Sequence, residues 1–346
     1  MPTKMNRRII LRARPNGVPR ESDFAADEVP IPEPAEGQFL TRNLFLSIDA
    51  GFRQWMNEGA GDGYLQAMAL GEPVMGLVLG EVVASRHPQY RVGDLVMGRT
   101  RWEEWSLADG SDYLAPVERA AGIDLSHHLG AIGPTGLTAY FGLRDIGRPQ
   151  AGETVVVSTA AGAVGMIASQ IAKIRGCRVV GLTSTEAKCR WLVDHLGLDA
   201  AIEYRKPGVL AAGLDRHCPN GIDVYFDNVG GRVLESALER LATGARVVMC
   251  GALASYEGGD PVPGPTNLFK LVTQRATMRG FMVTDYVTEY PAAVAELAGW
   301  IASGQLRPVE RMLDGIEQTP RAFCEMFRGE NLGKLVVRLD AARGAA

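Results

Sequence analysis

Ala160-Ala161-Gly162-Ala163-Val164-Gly165 is the segment of this chain whose residue types and spacing most clearly point to chemistry. It follows Val155-Val156-Val157, three β-branched residues that read as a buried strand. It precedes a run in which Ile167, Ile171 and Ile174 recur at helical spacing. A strand, a tight turn and a helix N-terminus present backbone N–H groups and a positive dipole end to an anion, and glycine lets the chain approach it closely. The arrangement suits a pyrophosphate held by Gly162, Ala163, Val164 and Gly165. Ala160 stands where the dinucleotide fingerprint has its first glycine, so the pattern here is A-x-G-x-x-G.

The next strand narrows the ligand. Gly176 ends the helix, and Cys177-Arg178-Val179-Val180-Gly181-Leu182 leads into Thr183, Ser184 and Thr185, with Lys188 close behind. An NAD site places Asp or Glu at that strand end to meet the ribose 2′-OH. A carboxylate repels a 2′-phosphate, whereas hydroxyls and an ammonium bind it, so the pattern predicts NADP(H), with Ser184 and Lys188 at the phosphate. Glu186 is the nearest acid. It reads as a first-turn residue favoured by the helix dipole, with Ser184 or Thr183 as N-cap.

These residues need a frame to position them. A length of 346 residues is enough for about two domains. From Ala131–Leu143 onward, strand-like and helix-like runs alternate: Ala200–Tyr204, Ile222–Asp227, Ala245–Ala252, a strand ending near Met282 and a helix near 292–303. This is the pattern of a doubly wound parallel α/β sheet. Ligands bind beyond the carboxyl ends of such strands, which gathers Asn228, Gly251–Tyr256 and Phe281–Val283 around one crevice. The first 125 residues hold short strand-like runs (Phe39–Asp49, Val74–Ser85, Arg91–Gly98), consistent with a bent, largely antiparallel sheet. The glycines Gly59, Gly61 and Gly63 mark 55–71 as a mobile loop, and Asn331–Arg338 reads as a strand that could return to the first domain.

Composition excludes several function classes. Hydrophobic residues make up 46% and charged residues 22%, ordinary globular values, and the net charge of −4 gives no electrostatic reason to bind nucleic acid. Arg7, Arg8, Arg12, Arg14 and Arg20 are interleaved with apolar residues and read as the solvent face of an opening strand. No apolar run reaches the roughly 20 residues of a membrane helix, and the start lacks the apolar core of a signal peptide, so the expectation is a cytoplasmic protein. Cys177, Cys189, Cys218, Cys250 and Cys324 are scattered, and the five histidines form no cluster with them. No zinc site is expected, and three of the cysteines are read as buried small hydrophobes.

Several motifs together resemble the zinc-independent branch of the medium-chain dehydrogenases/reductases, which holds prostaglandin reductases, plant double-bond reductases and bacterial curcumin reductases. They are Leu44–Asp49, Gly136–Leu143, Ala160–Gly165, Gly176–Gly181, Tyr225–Gly231, Cys250–Ala252 and Asn331–Lys334, in the family's order along nearly the whole chain. The resemblance implies a Rossmann domain over 126–304 and a GroES-like domain over 1–125 with 305–346, associating as a homodimer. It implies that Lys188 and Tyr204 bind the 2′-phosphate. Asn228, Cys250, Gly251, Ala252, Tyr256, Phe281, Met282 and Val283 would line the nicotinamide side, and Asn331 would reach the cofactor. The implied reaction is NADPH-dependent, zinc-free reduction of the C=C bond of enones and enals. Tyr256 or the cofactor ribose 2′-OH would stabilise the enolate. A quinone or alcohol oxidoreductase, or a non-catalytic NADPH-binding protein, stands as the alternative. Two departures fall near the substrate side: Gly51 replaces a tyrosine, and Pro134-Thr135 replaces Met-Pro.

Overall fold

The computed structural model describes residues 4–61, 65–120, 122–206, 208–256 and 262–339. Val155, Val156 and Val157 form the centre of the strand Thr154–Val157, buried on both faces as its β-branched run requires. Parallel neighbours flank it in a six-stranded sheet. Their order is Ala200–Glu203, Arg178–Thr183, Thr154–Val157, Ile222–Asp227, Leu241–Met249 and Thr277–Gly280. The chain winds one way from Thr154–Val157 and then crosses to its other side. The switch point therefore lies between Val157 and Asp227, where a crevice opens beyond the strand ends. Helices cover both faces, and two apolar clusters, one on each side of the sheet, form this core.

Besides a two-stranded antiparallel pair of Met5–Leu11 and Phe24–Pro30, a second large sheet has seven strands. Phe39–Ile48, Met75–Ser85, Leu95–Arg101 and Leu114–Val117 pair antiparallel, and Trp105–Ala108 joins Phe39–Ile48. Lys334–Arg338 returns from the end of the chain to pair antiparallel with Phe39–Ile48, and Glu310–Asp314 adds a parallel edge. The sequence pattern gives no element between the helix near 292–303 and Asn331. It misses the strand Glu310–Asp314, whose charged residues hide its period, and the helix Thr319–Arg328, which buries Ala322, Phe323, Cys324 and Phe327.

Other expectations shift in detail. The expected helix over 131–143 starts at Pro134, runs to Phe141 and continues as a π-helical turn to Gly147. The run from Arg91 becomes a strand only at Leu95, because Asp94 accepts from the Arg91 amide in a turn. The helix Glu186–Leu196 is capped by Thr185, not by Ser184 or Thr183: the Thr185 hydroxyl accepts from the Lys188 amide. Residues 57–61 and 65–71 are irregular, yet Leu65 and Met68 are buried in the core and the Met68 amide donates to Trp55. Gly63 lies outside the described residues. Arg7 and Arg8 lie on the opening strand Met5–Leu11. Arg14 lies beyond it and donates to the carbonyls of Met56 and Met68.

Candidate functional site

The turn after Thr154–Val157 is held by close backbone contacts. Thr159 has φ +50, and Gly162 caps the helix Ala163–Ile174. A Cβ on Gly165 would collide with the Thr159 carbonyl oxygen, so the third glycine is what lets the helix start against the strand end. Ala160 fits where a glycine is usual because its methyl packs on Gly181 of the next strand, with 2.9 Å to the position a Cβ would take there. The Thr159 hydroxyl is buried without a hydrogen-bond partner. A cradle with no room for Cβ, an unpaired hydroxyl and a helix N-terminus together fit a pyrophosphate.

A cleft of about 260 Å³ opens at this turn. Gly162, Ala163, Val164 and Gly165 form one wall, Asn228, Cys250, Gly251 and Tyr256 another, and Asn331 and Gly333 a third. The third wall comes from the other sheet: the Gly333 amide donates to Ala161 at 2.9 Å. Asn228 is fixed by its amide on the Ser158 hydroxyl and its side-chain Nδ2 on the Ser158 carbonyl, each 2.7 Å. Beneath it Asp227 accepts from Tyr225, Ser158 and the amides of Val229 and Gly230, while burial raises its carboxyl above the usual range. Burial likewise pushes the Cys250 thiol up to about 12, so it stays protonated. The Tyr256 hydroxyl oxygen accepts from the Ala252 amide at 3.1 Å, which leaves its own hydrogen to donate. Its phenol is raised by burial.

Ser184, Lys188 and Tyr204 cluster at the neighbouring strand ends. The Ser184 hydroxyl and the Lys188 ammonium both donate to the Gly329 carbonyl, at 3.3 and 2.8 Å. Tyr204 follows the strand Ala200–Glu203, its amide donating to Thr183. Arg205, which sequence reading passed over, donates to the Arg328 carbonyl at 2.9 Å. Burial, and then the Arg205 charge, lower Lys188 to about 8. Glu186 turns along its helix to Arg190 at 2.7 Å.

Of the expected trio Phe281, Met282 and Val283, none is among the residues lining the 260 Å³ cleft. Phe281 packs into the core against Gly142, Met282 is exposed, and Val283 borders a second, adjoining cleft of about 170 Å³. That cleft is mainly apolar: Phe52, Trp55, Leu65, Leu77, Tyr113, Pro134 and Tyr290 line it, with Arg99 at its wall. Thr135 and Thr138 border the 260 Å³ cleft. Both clefts share Asp49 and Gly51. The Asp49 carboxylate is held by the buried Lys334 and the Ser47 hydroxyl. Ser47, Asp49 and Lys334 lie in motifs read from the sequence, but their meeting, and the aromatic lining of the second cleft, join segments far apart along the chain. Among the described residues no group of three His, Cys, Asp or Glu side chains could hold a metal ion, and no helix is long and apolar enough to cross a membrane.

Two family models match the chain: the N-terminal domain of oxidoreductase over residues 7–115 and a zinc-binding dehydrogenase domain over 163–299. The tobacco (Nicotiana tabacum) NADP-dependent 2-alkenal reductase is 37% identical over 97% of this chain and 98% of its own length. The NADPH-dependent curcumin reductase of Escherichia coli is 36% identical over 96% and 97%. The crystal structure of CurA from Vibrio vulnificus in complex with NADPH superposes with a TM-score of 0.89. It is 36% identical and covers 96% of this chain and 99% of its own.

Proposed function

Because the chain belongs to the zinc-independent branch of the medium-chain dehydrogenases/reductases, we propose that it uses NADPH to reduce the C=C bond of α,β-unsaturated ketones and aldehydes. The observation that carries this reading is the junction at Asp49 and Gly51 of two clefts, one fitted to a dinucleotide and one apolar and aromatic. In this reading Gly162–Gly165 and the Thr159 hydroxyl hold the pyrophosphate. Ser184, Lys188, Tyr204 and Arg205 hold the 2′-phosphate, and Asn228, Cys250, Gly251 and Asn331 border the nicotinamide. Bound NADPH supplies a hydride from nicotinamide C4.

The chain's part is orientation and charge. The apolar cleft takes the hydrocarbon part of the substrate and excludes water from it. As electron density moves to the carbonyl oxygen, the Tyr256 hydroxyl hydrogen is the donor that can meet it. The Ala252 amide fixes the phenol in that role by occupying its oxygen. A solvent proton at the α-carbon completes the reduction. No metal is needed to stabilise an enolate, so elemental analysis is expected to find no stoichiometric zinc; one zinc per chain would overturn this point.

We place the domain limits at 1–125 with 305–346 and at 126–304. A homodimer is supported by the exposed edge strand Thr277–Gly280, beside exposed Phe269 and Val272. A reducing, cytoplasmic compartment suits five cysteines that are all free. The deciding experiment follows NADPH oxidation across enones, enals and quinones and identifies the product. A saturated ketone or aldehyde is expected. Turnover of quinones alone would make this a quinone reductase, and tight NADPH binding without any turnover a non-catalytic binder.

A further inference from the structure

Leu11 ends the opening strand, and the chain then loops back through Glu21–Asp23 into Phe24–Pro30. The Arg12 and Ala13 amides close that loop on the Asp23 carbonyl, at 2.8 and 3.0 Å, which fixes the backbone that carries Arg14. From there the Arg14 side chain reaches across to two distant carbonyls. Its Nη1 donates to Met56 at 2.9 Å and to Met68 at 3.1 Å. Met56 is the last residue of the short helix Ala50–Met56, where carbonyls lack an intrahelical partner and an arginine is a favourable donor. A second arginine crosses the other way. Fully buried Arg53, on that helix, donates to the Pro15 and Gly17 carbonyls and to the Asn57 side chain.

Two residues of the apolar cleft, Trp55 and Leu65, sit on the segments that Arg14 ties together. Leu65 and Met68 are buried with Phe52 and Met56, but burial is non-directional and does not by itself fix a stretch without regular secondary structure. Backbone pairing with the opening strand resumes only at Gly71 and Glu72, which bond to Leu11. Before it, the Met68 amide donates to the Trp55 carbonyl at 2.7 Å, and Arg14 holds the Met56 and Met68 carbonyls beside that bond. Resting on the reductase reading above, we propose that Arg14 is a positioning residue for the substrate: its guanidinium holds Met56 against Met68 so that Trp55 and Leu65 stand as walls of the apolar cleft. Arg14 itself lines neither cleft. The grip on a hydrocarbon chain therefore depends on it, while the dinucleotide turn Gly162–Gly165 does not. A long enone loses contact when these walls shift; a small one held at the cofactor end loses little.

The test measures kcat and KM with NADPH for 3-nonen-2-one and for methyl vinyl ketone in the wild type, Arg14→Met and Arg14→Lys, with an NADPH titration and a thermal melt of each. Methionine keeps an unbranched stem and donates nothing, whereas lysine keeps a donor on a shorter stem. Arg14→Met is expected to raise KM for 3-nonen-2-one by about 5-fold to 30-fold, with kcat, NADPH affinity and KM for methyl vinyl ketone within about 2-fold of the wild type. Arg14→Lys should recover part of the loss. An unchanged KM for the long enone, or equal losses on both ketones, overturns the proposal. If Arg14→Met does not fold, Arg14→Lys decides on the same criterion, with a smaller expected rise of about 2-fold to 5-fold. Amide exchange at Met68 reads the clasp without turnover: it is expected to be about 10-fold faster in Arg14→Met, and unchanged exchange also overturns the proposal. If the wild type reduces neither ketone, the reductase reading itself fails, and the exchange result still decides whether Arg14 holds the segment.

Discussion

Gly165 and Gly51 both line one cleft and are glycines for opposite reasons. At Gly165 the backbone of Thr159 occupies the place of a Cβ; at Gly51 nothing does. The first is a constraint imposed by a strand, a turn and a helix packed closely together. The second is free volume beside the cleft. Gly165 is thus fixed by steric contact with the Thr159 backbone, whereas no contact demands glycine at position 51.

Paired alanines break or sharpen this contrast most directly. Gly165→Ala is expected to cost roughly 1–3 kcal/mol of stability through overpacking, together with most NADPH affinity. Gly51→Ala is expected to be neutral or to stabilise by up to about 1 kcal/mol, since alanine restricts the unfolded chain. Thermal unfolding and NADPH titration measure both, and similar costs at the two positions would refute the distinction.

Within the proposed cofactor site, Lys188→Ala should weaken NADPH by about 10-fold to 100-fold and leave NADH nearly unchanged, because it removes one charge-assisted contact worth roughly 1.5–3 kcal/mol. Equal losses for the two cofactors would remove Lys188 from the phosphate. In the cleft that both glycines line, Tyr256→Phe should lower turnover by about 10-fold to 100-fold with little change in NADPH binding. That is less than a dedicated oxyanion donor's roughly 2.7–4 kcal/mol, because the ribose hydroxyl shares the task. Enone reduction at the wild-type rate would make Tyr256 a structural residue.

The smallest effect is on pH dependence. Burial and Arg205 hold Lys188 at about 8, below the ordinary 10.5. Above pH 8 the free protein therefore carries a neutral amine that must take up a proton to meet the phosphate, which is fully ionised above its own pKa of about 6. The preference for NADPH over NADH should fall as pH rises above 8, by at most about tenfold per unit. The same depressed pKa gives the sign for stability. Between pH 8 and 10.5 the unfolded chain binds more protons, so the cost of burying this lysine is relieved as pH rises through that window. Lys188→Arg should abolish the pH trend in cofactor preference, and a trend that persists in it would assign the effect to another group.

The amino-acid sequence by itself determined the glycine turn after Val157, the alternation of strands and helices of a doubly wound sheet, and the run of hydroxyls and lysine that follows Leu182. Each rests on residues close together in the chain, where periodicity, β-branching and helix-terminus electrostatics act locally. Folding decided what depends on distant partners. Phe281 reads like Val283 in sequence, but it turns into the core against Gly142 while Val283 faces a cleft. Arg205 joins Lys188 only because the helix Thr319–Arg328 brings two carbonyls between them. Asp49 and Lys334, 285 positions apart, meet because the last strand pairs with Phe39–Ile48. The value of Gly51 is also tertiary: a glycine's use as empty space depends on what surrounds it, and no local pattern encodes that.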